Sequence, residues 1–194
     1  MNEADDLVAA LLPVVRAFEH FGVNYYVGGS VASSYHGATR STLDVDVVAE
    51  LHDDQVSEFL SALGDQYYSS ESAIRDAIKR RSCFNLIHYP TSFKVDVFIS
   101  RGRAFDRSAM TRSTVGQLGC DPAVSTPIAT AEDVIISKLE WYRIGGETSE
   151  RQWDDVSKVF RLLGETADRD YLRQSAESVG VADLLDRLCK LSGE

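Results

Sequence analysis

The 194-residue sequence has only three cysteines, four prolines and two tryptophans, and no run approaching the roughly 20 apolar residues of a membrane span. Cys83, Cys120 and Cys189 lie far apart, show no CxxC spacing and cannot all pair with one another, so neither a disulfide scaffold nor a thiolate metal site is expected. With 13 glycines and few prolines, collagen-like and low-complexity architectures are excluded. The first residues, Met1 to Asp6, are acidic where a signal peptide would be basic, and the expected location is cytoplasmic. Basic residues are also scarce. Twenty Lys and Arg against thirty Asp and Glu give a net charge of −10, so the surface as a whole repels phosphate backbones. An anionic substrate must then be held by a bound cation or by a few placed Lys and Arg side chains.

The remainder is ordinary for a soluble globular protein: 44% of residues are hydrophobic and 26% charged. Residues 7–21 carry Leu7, Leu11, Val14, Val15, Phe18 and Phe21 at helical spacing before Gly22, with Pro13 marking either a kink or a second start. Val23 to Val27 is rich in strand formers and runs into Gly28-Gly29-Ser30, after which a short helix ends at His36-Gly37. Leu43 to Ala49 alternates like a half-buried strand. Residues 53–64 and 72–80 read as helices, and Cys83 to Tyr89 with Phe93 to Ser100 as a hairpin around Pro90. From Thr130 the pattern turns helical, with Thr130 as a cap and Asp133 in the reciprocal capping-box position. Further helices are expected over 149–163, 168–178 and 181–191. The segment Pro122 to Pro127 reads as a hinge, dividing an α/β core (1–128) from a helical C-terminal subdomain (129–194).

Side chains alternate faces along a strand, so Asp44 and Asp46 point one way while Leu43, Val45 and Val47 point the other. Asp is a poor strand former, and two of them in a valine-rich strand need compensation. Phe93 to Ile99 repeats the device, with Asp96 on one face and Phe93, Val95, Val97 and Ile99 on the other. If the two strands are neighbours, three carboxylates converge, suited to a hard divalent cation and to taking a proton from an attacking hydroxyl. Lys94 shares that face, and its pairing with Asp96 is the structural alternative. The Gly28-Gly29-Ser30 turn can bring backbone N–H groups close to phosphate oxygens. Lys138 lies on the apolar stripe of its helix, where it either snorkels to solvent or reaches across a cleft. Asp154 and Asp155 read as favourable charges near a helix start, and His36 as a helix-end or packing residue.

Together these motifs resemble the nucleotidyltransferase superfamily with the polymerase-beta-like fold. The signature is Gly-Gly or Gly-Ser at a helix start, then Asp-x-Asp, then a third Asp on a later strand. His36-Gly37 and Arg40-Ser41-Thr42-Leu43-Asp44-Val45-Asp46 bring the sequence closest to the branch of AbiEii-type toxins and uncharacterised bacterial relatives. The segments Ala131 to Leu139 and Arg151 to Val156 are similar to two further helices of that family, extending the likeness over about residues 8 to 163.

The resemblance implies an α/β (α+β) core, a mixed sheet flanked by helices, with a helical C-terminal part. It implies Asp44, Asp46 and Asp96 as catalytic residues and ligands of Mg²⁺ or Mn²⁺, and Gly28, Gly29, Ser30, Arg40, Thr42 and Lys138 as nucleotide-binding residues. The substrates would be a nucleoside triphosphate, ATP among the candidates, and a hydroxyl on a protein, a tRNA or a small molecule, with a toxin–antitoxin protein partner as one setting. One departure is that Val31-Ala32-Ser33 supplies no Arg just after Gly-Ser, leaving that work to Arg40. The rival expectation is a catalytically idle module of this fold that binds a protein partner or serves as an antitoxin.

Overall fold

The computed structural model describes residues 3–38, 41–120 and 123–191. The chain opens with α1 (Glu3–His20), which buries Val8, Leu11, Val14, Val15 and Phe18 along one face. Pro13 lies inside it, and the helix runs through as a single element. β1 (Tyr25–Val27), α2 (Gly29–Tyr35), β2 (Asp44–Ala49), α3 (Val56–Leu63) and the two-residue β3 (Tyr67–Tyr68) follow. Next come α4 (Glu71–Arg80), the hairpin of β4 (Cys83–His88) and β5 (Lys94–Ile99), and α5 (Ala104–Arg112). An antiparallel pair, β6 (Thr114–Gly119) and β7 (Ala123–Ile128), leads to α6 (Ala131–Ile144), α7 (Glu150–Leu163), α8 (Arg169–Val179) and α9 (Ala182–Leu191).

The seven strands among the described residues form one mixed sheet in the order β3-β4-β5-β2-β1-β7-β6, with β2 parallel to β5 and β1 parallel to β7. Alternation gives the sheet two unlike faces. Val45, Val47, Phe84, Leu86, Val95 and Val97 are buried on one, and α1 packs against the sheet with α3 beside it. Phe18 of α1 stacks on Phe59 of α3 with ring centroids 5.1 Å apart, and the Tyr67 hydroxyl donates to the Ala10 carbonyl at 2.7 Å. Side chains of this size each contribute about 1.5–3 kcal/mol on full burial. The opposite face carries Asp44, Asp46 and Asp96, and it receives α2, on which α6 packs.

The helices expected at 149–163, 168–178 and 181–191 correspond to α7, α8 and α9, because Ser149 and Asp168 cap the first two by accepting from the N–H groups of Gln152 and Tyr171. Thr130 likewise accepts from the Asp133 N–H at 3.3 Å. Asp133 does not return the bond to the Thr130 backbone: its buried carboxylate accepts from the Thr130 hydroxyl at 2.7 Å and from the Tyr171 phenol, tying α6 to α8.

The segment read as a hinge is otherwise, since residues 123–127 belong to β7, between β1 and β6. Val124, Thr126 and Ile128 point inward there. The strand tolerates Pro127 because β1 pairs only with Ile128, leaving one side of β7 without a ladder at the proline. No helix among the described residues is long and apolar enough to cross a membrane.

Candidate active site

The site is built on β2 and its parallel neighbour β5. In register, Asp46 faces Asp96 and Asp44 faces Lys94, so the Asp46 and Asp96 backbones stand about 4.8 Å apart with their side chains on one face. Along β2, Val45, Val47 and Ala49 are buried while Asp44, Asp46 and Val48 are half-buried. The apolar set fixes the register, because a slip of one residue would turn every Asp into the core.

The Gly28-Gly29-Ser30 turn closes over Asp46. The Gly28 N–H donates to the Asp46 carbonyl at 2.8 Å, and Gly29 adopts φ +55°, in the left-handed region that favours glycine. A Cβ on Gly29 would lie 1.6 Å from Asp46 Oδ2, so the carboxylate occupies the space that any other residue would fill. The Ser30 N–H, at the start of α2, donates to that carboxylate. Burial pushes the Asp46 carboxyl up to about 6; the charges of Asp44 and Asp96 add to the rise, and Lys138 and the Ser30 bond oppose it.

Each neighbouring carboxylate has its own partner. The Thr42 hydroxyl donates to Asp44 Oδ1 at 2.5 Å. Asp96 is paired with Lys94 at 2.7 Å and accepts from the Asn85 amide. The Lys94–Asp96 pair is thus present, and Asn85, which the sequence reading passed over, completes the rung because it faces Asp96 on β4. Its signal was the alternation of Cys83, Asn85 and Ile87 on one face of that strand.

Lys138, on α6, is half-buried, its side chain 11% exposed, and pairs with the buried Asp155 of α7 at 3.3 Å. It therefore does not snorkel into solvent, and its charge acts on Asp46. Asp155 is correspondingly not a helix-start residue, since α7 begins at Glu150. Asp154 is exposed and pairs with Lys158 at 2.5 Å. His36 caps the C-terminal end of α2 and its ring contacts the Ala129 carbonyl at 2.7 Å, a packing role. Arg40 lies outside the described residues. The cysteines are unpaired, and burial raises the Cys83 thiol to about 12, far from thiolate chemistry.

Whether these residues suit a divalent cation is decided by donor type, register and charge. Asp44, Asp46 and Asp96 offer only carboxylate oxygens, and burial together with their mutual repulsion raises Asp46, the second of which a cation would relieve. As the side chains stand, no group of three His, Cys, Asp or Glu among the described residues forms a ready ligand set. The Asp44 carboxylate is turned to Thr42, and that of Asp96 to Lys94 and Asn85. The donors fit a hard cation once those two side chains turn inward.

The mixed sheet carrying paired Asp residues on adjacent parallel strands, with a Gly-Gly-Ser turn and a helical C-terminal part, shares its overall fold with a solved antibiotic-resistance factor. Among solved structures, the solution structure of the antibiotic-resistance factor ANT(2'')-Ia, described as revealing substrate-regulated conformation dynamics, is similar over 96% of this chain and 95% of that one. The TM-score is 0.52 and the identity 11%. The crystal structure of an antigenic nucleotidyltransferase-like protein from Paracoccidioides brasiliensis is similar over 95% of this chain and 91% of its own, with 14% identity and a TM-score of 0.49. No protein-family model matches the sequence, and no curated protein matches it.

Proposed function

We propose that this chain is a nucleotidyltransferase, moving a nucleoside monophosphate from a nucleoside triphosphate to an acceptor hydroxyl. The observation that carries the reading is the rung of Asp46 beside Asp96, with Asp44 one step along the same face and Gly29 pressed against Asp46. In this reading Asp44, Asp46 and Asp96 hold Mg²⁺ or Mn²⁺, which supplies Lewis-acid stabilisation of the attacking and leaving oxygens.

The protein's own groups do the rest. Asp96 accepts the proton of the acceptor hydroxyl, after exchanging its bonds to Lys94 and Asn85 for the substrate. The hydroxyl oxygen bonds to the α-phosphorus as the bond to the β-phosphate oxygen breaks, and pyrophosphate leaves. Lys138 offsets the charge of the phosphates, held in place by Asp155. The Gly28-Gly29-Ser30 turn brings its backbone N–H groups toward the phosphates, and Thr42 fixes the Asp44 carboxylate. Arg40 is assigned to the same phosphates from its position in the sequence alone.

Around the site, Lys94, Lys138, Arg101 and Arg103 each have a carboxylate partner. With a net charge of −10, that balance favours a protein side chain or small hydroxyl compound over tRNA as acceptor. A toxin–antitoxin setting belongs to the same proposal. The hold of Lys94 and Asn85 on Asp96 favours one rival, an idle module that binds a partner. Incubation with α-phosphate-labelled triphosphates, Mg²⁺ or Mn²⁺ and fractionated acceptors distinguishes them. Label in one fraction, lost in an Asp44→Ala/Asp46→Ala protein, supports transfer; label that persists in that protein refutes it.

A further inference from the structure

Trp141 and Trp153 are the two tryptophans of the chain, and they sit in different surroundings. Trp153 is closed in by Tyr142, with ring centroids 5.3 Å apart, and by the Arg187 guanidinium 4.1 Å over its ring. Trp141 is 42% exposed although it lies on α6 among buried Ile135, Leu139 and Tyr142. Its ring meets Phe98 edge-on, 5.5 Å between centroids. Phe98 stands two residues beyond Asp96 on the same face of β5, level with Val48, which stands two residues beyond Asp46. Lys138, whose charge acts on Asp46, precedes Trp141 by three residues, so the two lie on one side of the helix.

An indole left open on the helix side that carries Lys138, against the Phe98 ring two residues beyond Asp96, is a surface for a ring. The two-residue step along β2 and β5 is about 6.6 Å, the reach of a ribose between an α-phosphate and its base. We propose that Trp141, braced by Phe98, stacks the base of the nucleotide whose phosphates lie at Asp44, Asp46 and Lys138. This rests on the transfer reading above and adds to it the group that holds the base. Glu140, the carboxylate next in sequence, is held by Arg101 at 3.1 Å and Arg103 at 2.6 Å. Selection therefore follows ring area, purines binding more tightly than pyrimidines.

The test uses the full chain carrying Trp153→Phe, which leaves Trp141 as the sole indole, titrated with MgATP, MgCTP and magnesium tripolyphosphate. ATP is expected to quench Trp141 emission more than CTP does, while tripolyphosphate binds by calorimetry without quenching. In the otherwise native chain, Trp141→Ala is expected to raise the Kd for MgATP about 5- to 100-fold, leave that for tripolyphosphate unchanged, and be partly rescued by Trp141→Phe. Unchanged ATP affinity in Trp141→Ala, or an equal loss for ATP and tripolyphosphate, overturns the stacking role alone. If neither ATP nor tripolyphosphate binds the native protein, the transfer reading fails and the stacking role with it.

Discussion

Replacing Gly29 by alanine tests the local architecture of the site. The new Cβ would fall 1.6 Å from Asp46 Oδ2 and 2.5 Å from its Cγ, so the carboxylate must retreat by roughly 2 Å to reach ordinary contact. That retreat breaks the Ser30 N–H bond to a charged acceptor, about 1.5–3 kcal/mol, and the residue at φ +55° adds about 1–2 kcal/mol for its left-handed backbone. The expected cost is about 2.5–5 kcal/mol, read by urea unfolding at pH 7. A double-mutant cycle separates the causes: in an Asp46→Ala background only the backbone penalty, about 1–2 kcal/mol, should remain. An alanine as stable as glycine at this position, or one equally costly with and without Asp46, refutes the reasoning.

Three further outcomes follow from the same structure. The Asp46 carboxyl, raised from 3.8 to about 6 in the folded state, binds its proton more tightly folded than unfolded. Without metal, stability should therefore fall by roughly 1–3 kcal/mol as pH rises from about 4 to 6. Asp46→Asn should remove that dependence in urea titrations across the range; parallel curves for the two proteins would contradict it. Lys138→Met leaves the buried Asp155 without that ammonium and should cost about 3–5 kcal/mol, much of it recovered by adding Asp155→Leu, as thermal unfolding would show. Tyr171→Phe withdraws the phenol from the buried Asp133 carboxylate and should cost about 1–3 kcal/mol in denaturant, whereas a change within error would mean that the α6–α8 tie carries no weight.

Much of this arrangement could be read from local pattern. The alternation in Asp44 to Ala49 and Phe93 to Ile99 gave both strands and the shared face of the three Asp residues, because period-two burial leaves no other place for the valines. The later helices were expected from their apolar stripes, and Ser149 and Asp168 cap the first two where those ranges begin. What local pattern could not supply was pairing. That β2 lies beside β5, with Asp46 level with Asp96, is set by the whole sheet. The Lys138–Asp155 ion pair joins two helices whose individual patterns give no hint of it. β7 was missed because Pro127 reads as a breaker, and only its sparse pairing with β1 explains why it is tolerated. The Thr42 bond to Asp44 and the Asn85 bond to Asp96 emerge only from the folded chain, the second once β4 is laid against β5.

The most direct measurement of the central claim is calorimetric titration of ATP, GTP, CTP and UTP into the protein with and without Mg²⁺, beside Asp44→Ala/Asp46→Ala. At least one triphosphate should bind only with the metal, and the double variant should lose that binding. Metal-dependent binding that survives in the variant, or no binding of any of the four, would contradict it.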